Sequence, residues 1–408
     1  MRDLPALLAP SPAPAWNAAD LGRAKSQLHD AFSGATAGAR GWSLAVVDAN
    51  GNDIFDDRAS SAVTPASVQK LVVAATALDV LGPTYRYHTV LASQAPAAPD
   101  GTLDGNVWLI GSGDPSLTRE NLQAGVKTLA RSGVRRVRGN VAVDASAMNG
   151  PEQNPHWSQD DADEDYAAPT NAVSIDEDTV ESTQTVGGVE EHFWTAVHGV
   201  NRWAAAVVDE LLHQRGIHVS GKPVVAAAPL DTVVLWDHRS DPLRTLETHM
   251  LFYSDNHYAE QLLRSLGEER GTGSDTVGLQ QENEFLNERG IPRPGLHLTD
   301  GSGLSNANRI AAITLARLLA DAQARGGNAS MYMLLPAGGR EGTLRGYDFT
   351  TALGRVRAKS GHIDGVASLA GYVNTQHHGR IAFAFMINGS PGDPDAAIVR
   401  AVDRLALL

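Results

Sequence analysis

Thr64-Pro65-Ala66-Ser67-Val68-Gln69-Lys70 precedes an almost unbroken apolar run to Leu81, and Gly82-Pro83 closes it. The spacing predicts a helix with Thr64 as N-cap and Pro65 at the first helical position. Ser67 and Lys70, three residues apart, then share one helical face, and the lysine amine reaches the serine hydroxyl. At a helix start the backbone N–H groups lack partners within the helix, so the Ser67 amide is available to a developing oxyanion.

Serine-x-x-lysine alone is weak evidence, with roughly 0.3 chance occurrences expected in such a chain. Two further stretches strengthen it. Ser254-Asp255-Asn256 directly precedes a helical pattern, and Lys359-Ser360-Gly361 lies on a β-prone run. The three in this order have a joint chance expectation below ~0.01.

Working outward, Trp42 to Asp48 and Asp53 to Asp57 flank the turn Ala49-Asn50-Gly51 and read as a β-hairpin. A helical pattern precedes it from about Ala18 to Phe32, after a Pro/Ala-rich linker, Ala9 to Ala15. From about Thr89 to Val234 short β-prone runs separated by Gly, Pro and Asp suggest an inserted, mostly β region. Helical patterns return at Phe193 to Gln214, His257 to Leu266, Thr276 to Arg289 and Ile310 to Arg325. Strand patterns follow at Arg355 to Ser360, Leu369 to Val373 and Ile381 to Asn388, before a terminal helix from Asp395 to Leu407. The expected class is α+β, an antiparallel sheet flanked by helices with one β-rich insert.

The composition narrows the function. The 408 residues are 42% hydrophobic and 20% charged, enough for sizeable cores and inconsistent with disorder. A formal charge of −14 repels phosphate backbones and anionic lipid, so nucleic-acid binding is not expected. With Cys 0 there are no disulfides, thiolate metal sites or cysteine nucleophiles. No run approaches the ~18 apolar residues of a membrane span, and the N-terminus lacks signal-peptide features, so an exported protein would be present here in trimmed form. Gln159 to Asp165 carries five carboxylates without the glycine-punctuated ligand loop of a calcium site, and reads as a solvated acidic loop. Gly111-Ser112-Gly113 is not followed by Lys-Ser/Thr and is no nucleotide loop. No cofactor or metal is expected.

The trio resembles the signature of penicillin-binding proteins and class A β-lactamases. Thr64-Pro65-Ala66-Ser67, Ile110 to Thr118, Asp300-Gly301-Ser302-Gly303-Leu304-Ser305 and Gly342-Thr343-Leu344 resemble one branch in particular, the low-molecular-mass class C penicillin-binding proteins, D-alanyl-D-alanine carboxypeptidases and endopeptidases. The resemblance runs from about Trp42 to Leu408. It implies a discontinuous catalytic domain, 1–91 plus 239–408, with an inserted β-rich domain at 92–238. The 187 positions from Ser67 to Ser254 are too few for the two nested inserts of many relatives, so the third domain is expected to be absent or vestigial, replaced by a short connection at Glu181 to Glu191. Lys-Ser-Gly stands where relatives usually have Lys-Thr-Gly, which keeps the hydroxyl.

Residue type, supported by the resemblance, gives the roles. Ser67 is the expected nucleophile and Lys70 its base, with a pKa depressed by burial and by Lys359. Ser254 would relay the proton to the leaving D-alanine, and Asn256 would hold the substrate amide. Ser360, with Lys359, would bind the terminal carboxylate on a strand that also includes Gly361. The backbone N–H groups of Ser67 and His362 would form the oxyanion hole. Asp144 could recognise an amino group on the stem peptide, or simply end a strand. The implied partners are peptidoglycan stem peptides and β-lactam antibiotics, outside the cytoplasmic membrane. A β-lactamase is the alternative, but Asn283 stands where that enzyme's Glu-x-x-Leu-Asn pattern needs glutamate. A non-catalytic wall-binding protein is the other, against which intact Ser67, Lys70 and Lys359 argue.

Overall fold

The structure, a computed structural model, describes residues 15–186 and 189–408; the linker stretch before Ala15 lies outside them. Helix α1 (Ala18–Thr36) begins at Asn17, whose side chain accepts from the Asp20 N–H. The hairpin β1 (Gly41–Val47) and β2 (Asp53–Asp57) follows as expected. Helix α2 (Lys70–Val80) starts later than its sequence suggests, behind a 3-10 turn at Ala66–Gln69. Thr64 does not cap it. Its hydroxyl accepts from Arg309 (3.0 Å), and the Asn388 carboxamide binds both its N–H and its carbonyl.

Strands β3 (His88–Ser93) and β4 (Val107–Gly111) come next, then α3 (Arg119–Arg131) and β5 (Val141–Asp144). A two-stranded ribbon, Thr179–Val186 with Val189–Ala196, precedes α4 (Val200–Gln214), β6 (Pro223–Val225) and β7 (Val233–Arg239). The sheet order β6-β5-β4-β3-β7 mixes parallel β6/β5/β4 with antiparallel β4/β3/β7. Parallel neighbours require crossovers, and α3 provides the one between β4 and β5. Leu122, Val126 and Leu129 of α3 and Val208, Leu211 and Leu212 of α4 share one core with Leu91, Leu109 and Val143 of the sheet. Helix α3 was not read from the sequence, and α4 starts at Val200 rather than Phe193. Phe193 and Trp194 belong to the ribbon.

The remaining elements are α5 (Leu243–Tyr253), α6 (Asn256–Glu268), α7 (Asp275–Glu288), α8 (Ala312–Arg325), β8 (Val356–Ile363), β9 (Val366–Asn374), β10 (Arg380–Asn388) and α9 (Pro394–Ala406). The sheet β8-β9-β10-β1-β2 is antiparallel throughout. Along β10 large and small residues alternate. Ile381, Phe383, Phe385 and Ile387 meet α1 and α9, whereas Ala382, Ala384 and Met386 share a core with α2 and α8. Small side chains on the second face let α2, which carries Lys70, lie close to the sheet. Helices cover both faces, so the α+β expectation holds for this layer.

Candidate active site

Five segments converge at the start of α2. Lys70 is fully buried. Its Nζ donates to Ser67 Oγ (3.0 Å), Asn256 Oδ1 (2.7 Å) and the Ser302 carbonyl (2.7 Å). The serine and lysine predicted to share a face therefore touch, although Ser67 sits in the 3-10 turn. The residue before it, Ala66, has φ +51°, a left-handed conformation that turns the chain sharply into the helix.

Lys359, also fully buried, donates to Ser254 Oγ (2.8 Å) and to the Ser360 carbonyl (2.6 Å). Ser254 ends α5 at φ +63°, and Asp255 caps α6 by accepting from the Tyr258 N–H. This reversal puts Ser254 toward Lys359 and Asn256 toward Lys70. The other end of Asn256 donates to the Tyr166 carbonyl (2.8 Å). Both ends of its carboxamide thus have protein partners, a tighter arrangement than a group waiting for substrate alone.

Strand β8 runs hard against the nucleophile turn. A Cβ on Gly361 would lie 2.8 Å from the Ser67 amide nitrogen and 2.4 Å from Ser368 Oγ. Ser368 donates to the carbonyls of both Pro65 (2.7 Å) and Gly361 (3.0 Å), tying strand to turn. Ser360 Oγ donates to Thr343 Oγ1 (2.8 Å), so the Gly342-Thr343-Leu344 segment adds a second hydroxyl. The ring of His362 turns away to Asp395 (2.8 Å); the expectation concerned its amide and is unaffected.

Asp144 is not drawn into this network. Its Oδ1 accepts from the Ser146 N–H (2.9 Å) and its Oδ2 from the Ala228 N–H (2.8 Å), the contacts of a strand-end carboxylate. Asn283 is equally remote in role: on α7 it faces outward, donating to the Leu279 carbonyl and accepting from Arg293.

Burial lowers the Lys70 pKa to about 8, while Glu260, Asp300 and Asp255 pull it back up. Lys359 is pushed well below its ordinary value, first by burial and then by the charge of Lys70. The sequence argument invoked burial and Lys359 for Lys70; burial is what lowers Lys70, and the repulsion between the two lysines falls on Lys359 instead. Beside Ser254 and Asn256 opens a cavity of about 540 Å³, lined also by Tyr166, Glu177 and Trp194. Two of its lining residues, Glu177 and Asp255, meet His249 in the only such group of potential metal ligands among the described residues. The His249 Nε2 to Asp255 Oδ2 distance is 3.3 Å, and burial raises the Glu177 pKa to about 7.

A buried lysine on a serine hydroxyl, with a second buried lysine on a neighbouring serine, is apparatus for acyl transfer. The chain matches the D-Ala-D-Ala carboxypeptidase 3 (S13) family over residues 26–190 and 188–406. It belongs to that family. A D-alanyl-D-alanine carboxypeptidase of an Actinomadura species is 29% identical, over 91% of this chain and 81% of that protein. The crystal structure of Haemophilus influenzae penicillin binding protein 4 superposes with a TM-score of 0.83 at 24% identity, covering 93% of this chain and 98% of that one. The same protein complexed with a β-lactam gives a TM-score of 0.75 at 23% identity, with the same coverage. As a family member, the chain is a serine-type D-Ala-D-Ala carboxypeptidase.

Proposed function

We propose that Ser67 is the acyl-accepting nucleophile of this S13 peptidase and Lys70 its general base. The observation that carries the reading is the 3.0 Å contact between the fully buried Lys70 Nζ and the half-buried Ser67 Oγ. Neutral Lys70 takes the Ser67 proton as Oγ attacks the carbonyl of the penultimate D-alanine. The amides of Ser67 and His362 receive the oxyanion, and Gly361 lets β8 approach closely enough to contribute. As the C–N bond breaks, Ser254, held by Lys359, relays to the departing amine the proton that Lys70 took from Ser67. Water then cleaves the ester and restores the serine.

Ser360, Thr343 and Lys359 are proposed to bind the substrate's terminal carboxylate. Asn256 keeps Lys70 in line and offers its second Nδ2 proton to the substrate. The insert, 92–238, forms a domain beside the catalytic one, 1–91 plus 239–408, with the ribbon in place of a third. β3 and β7 pair His88 with Arg239, which sets the two chain crossings side by side. Substrate chemistry assigns the protein an extracytoplasmic location. No helix among the described residues is long and apolar enough to cross a membrane.

The test is release of D-alanine from a D-Ala-D-Ala peptide, paired with benzylpenicillin acylation followed by mass. Both rates should rise with pH through about 8, as Lys70 loses its proton. The penicilloyl adduct should last for hours, because among the described residues no carboxylate hydrogen-bonds Ser67 or Lys70 to activate water, and a missing general base typically slows a step ~10² to 10⁴-fold. Rapid penicillin turnover without D-alanine release would overturn the peptidase reading.

A further inference from the structure

Behind the nucleophile lie three buried carboxyl groups that take no part in the steps above: Glu260 on α6, Asp300 in the loop before α8, and Glu282 on α7. Their partners differ. Asp300 accepts from the N–H groups of Gly303 (2.8 Å) and Ser305 (2.7 Å), from Asn308 Nδ2 (2.8 Å) and from Trp157 Nε1 (3.0 Å). Glu260 accepts from the Gly301 N–H, 3.1 Å from each oxygen, and from the Ser302 N–H (2.7 Å). Glu282 has no hydrogen-bond partner for either oxygen among the described residues. A buried carboxyl with no donors keeps its proton, whereas one that faces only N–H donors is satisfied in the ionised form. The donors around Glu260 and Asp300 favour the ionised form, against burial, which raises the Asp300 pKa and, with the charge of Asp300, lifts that of Glu260 to about 8; Glu282, pushed well above its ordinary value by burial, keeps its proton.

Ser302 is gripped at both ends. Its N–H donates to Glu260, and its carbonyl accepts from Lys70 Nζ at 2.7 Å. We propose that Glu260 is a positioning residue for Lys70: through Ser302 it aims the lysine at Ser67, and its charge stabilises the ammonium formed when Ser67 gives up its proton. The proposal rests on Lys70 being the general base. The charged groups facing Lys70 are Glu260 from α6, Asp255 at the start of that helix, Asp300 from the loop and Lys359 from β8. Glu260 leads the carboxylates that oppose the effect of burial on Lys70.

Glu260→Gln removes that charge at nearly constant volume. Lys70 should then lose its proton at lower pH by about one unit. The acid limb of benzylpenicillin acylation should move down with it, and the plateau rate should fall several-fold because the base is weaker. The midpoint is read on Lys70 directly, from the ¹³Cε signal of lysine-labelled full-length protein, which has five lysines. That titration decides the proposal even if acylation proves to use another base. Glu260→Asp keeps the charge and should slow acylation with the midpoint in place. Glu282→Gln exchanges one neutral group for another and should leave the midpoint unmoved. A rate loss in Glu260→Gln with no midpoint shift would reduce Glu260 to a structural role and overturn the proposal. A shift in Glu260→Asp or in Glu282→Gln of the size expected for Glu260→Gln would overturn it as well.

Discussion

The two five-stranded sheets are built to different specifications. The antiparallel β8-β9-β10-β1-β2 sheet has helices on both faces, and β10 is buried from Ile381 to Ile387. The mixed sheet of the insert shares a core with α3 and α4, and its edge strand β7 has no fully buried residue. Motifs that must be held to a few tenths of an ångström sit on or against the doubly covered sheet. The insert meets the site and the groups behind it through scattered contacts, among them the Tyr166 carbonyl on Asn256, Trp157 Nε1 on Asp300 and Ser174 on His257.

The strongest way to break this contrast is to hollow the central sheet. Phe383→Ala should cost ~3–5 kcal/mol, measured by urea unfolding, and should lower the fraction competent for acylation. Leu122→Ala in the insert should also destabilise, but should leave the acylation rate of folded protein unchanged. If both variants slowed acylation alike, the two sheets would be one functional unit.

The seam between the regions should respond to acid. Burial pushes the His257 imidazole down to about 4, so it is neutral in the fold and must become charged only on unfolding. Its contribution is complete above the unfolded value of about 6.5 and is lost as pH falls toward 4, amounting to about 3 kcal/mol. Unfolding free energies measured from pH 7 to 4 should show that slope, flattened in His257→Gln. An equal slope in the variant would place the acid sensitivity elsewhere.

Gly361→Ala probes the tight approach of β8 to Ser67. It should lower acylation about a hundredfold, or ~2.7 kcal/mol, with a far smaller change in melting temperature. Wild-type acylation would mean that the strand can yield. The smallest effect is expected at the ribbon, whose side chains from Glu181 to Ser182 and from Glu190 to Trp194 are exposed. Shortening it should change stability by no more than about 0.5 kcal/mol, measured by thermal melting, and should leave acylation within a few-fold.

Legibility in the sequence follows the same division. Ser67 and Lys70, Ser254 and Asn256, and Lys359 and Ser360 are each close in sequence, so the spacing alone predicted their neighbourhoods. Ser302, Thr343, Ser368 and Glu260 reach the site across long separations, and only the Asp300-Gly301-Ser302-Gly303 and Gly342-Thr343-Leu344 segments hinted at two of them. In the insert, Gly125 in the middle of α3 weakened the helical pattern. The structure shows its purpose: a Cβ there would lie 2.7 Å from the Trp236 ring of β7. Gly187-Gly188 is a two-residue hairpin signal in the sequence that the reading of a short connection and a helix from Phe193 left unused. Thr64 looked like a cap but serves as a tether for Arg309 and Asn388, a role that no local pattern carries.

The account's central claim is that Lys70 activates Ser67. Peptide mapping by mass spectrometry after benzylpenicillin treatment tests it most directly, on the wild type, Ser67→Ala and Lys70→Ala. The account predicts one penicilloyl adduct on the peptide that contains Ser67, none in Ser67→Ala, and formation slowed at least a hundredfold in Lys70→Ala. An adduct on another serine, or one that forms at the wild-type rate without Lys70, would contradict it.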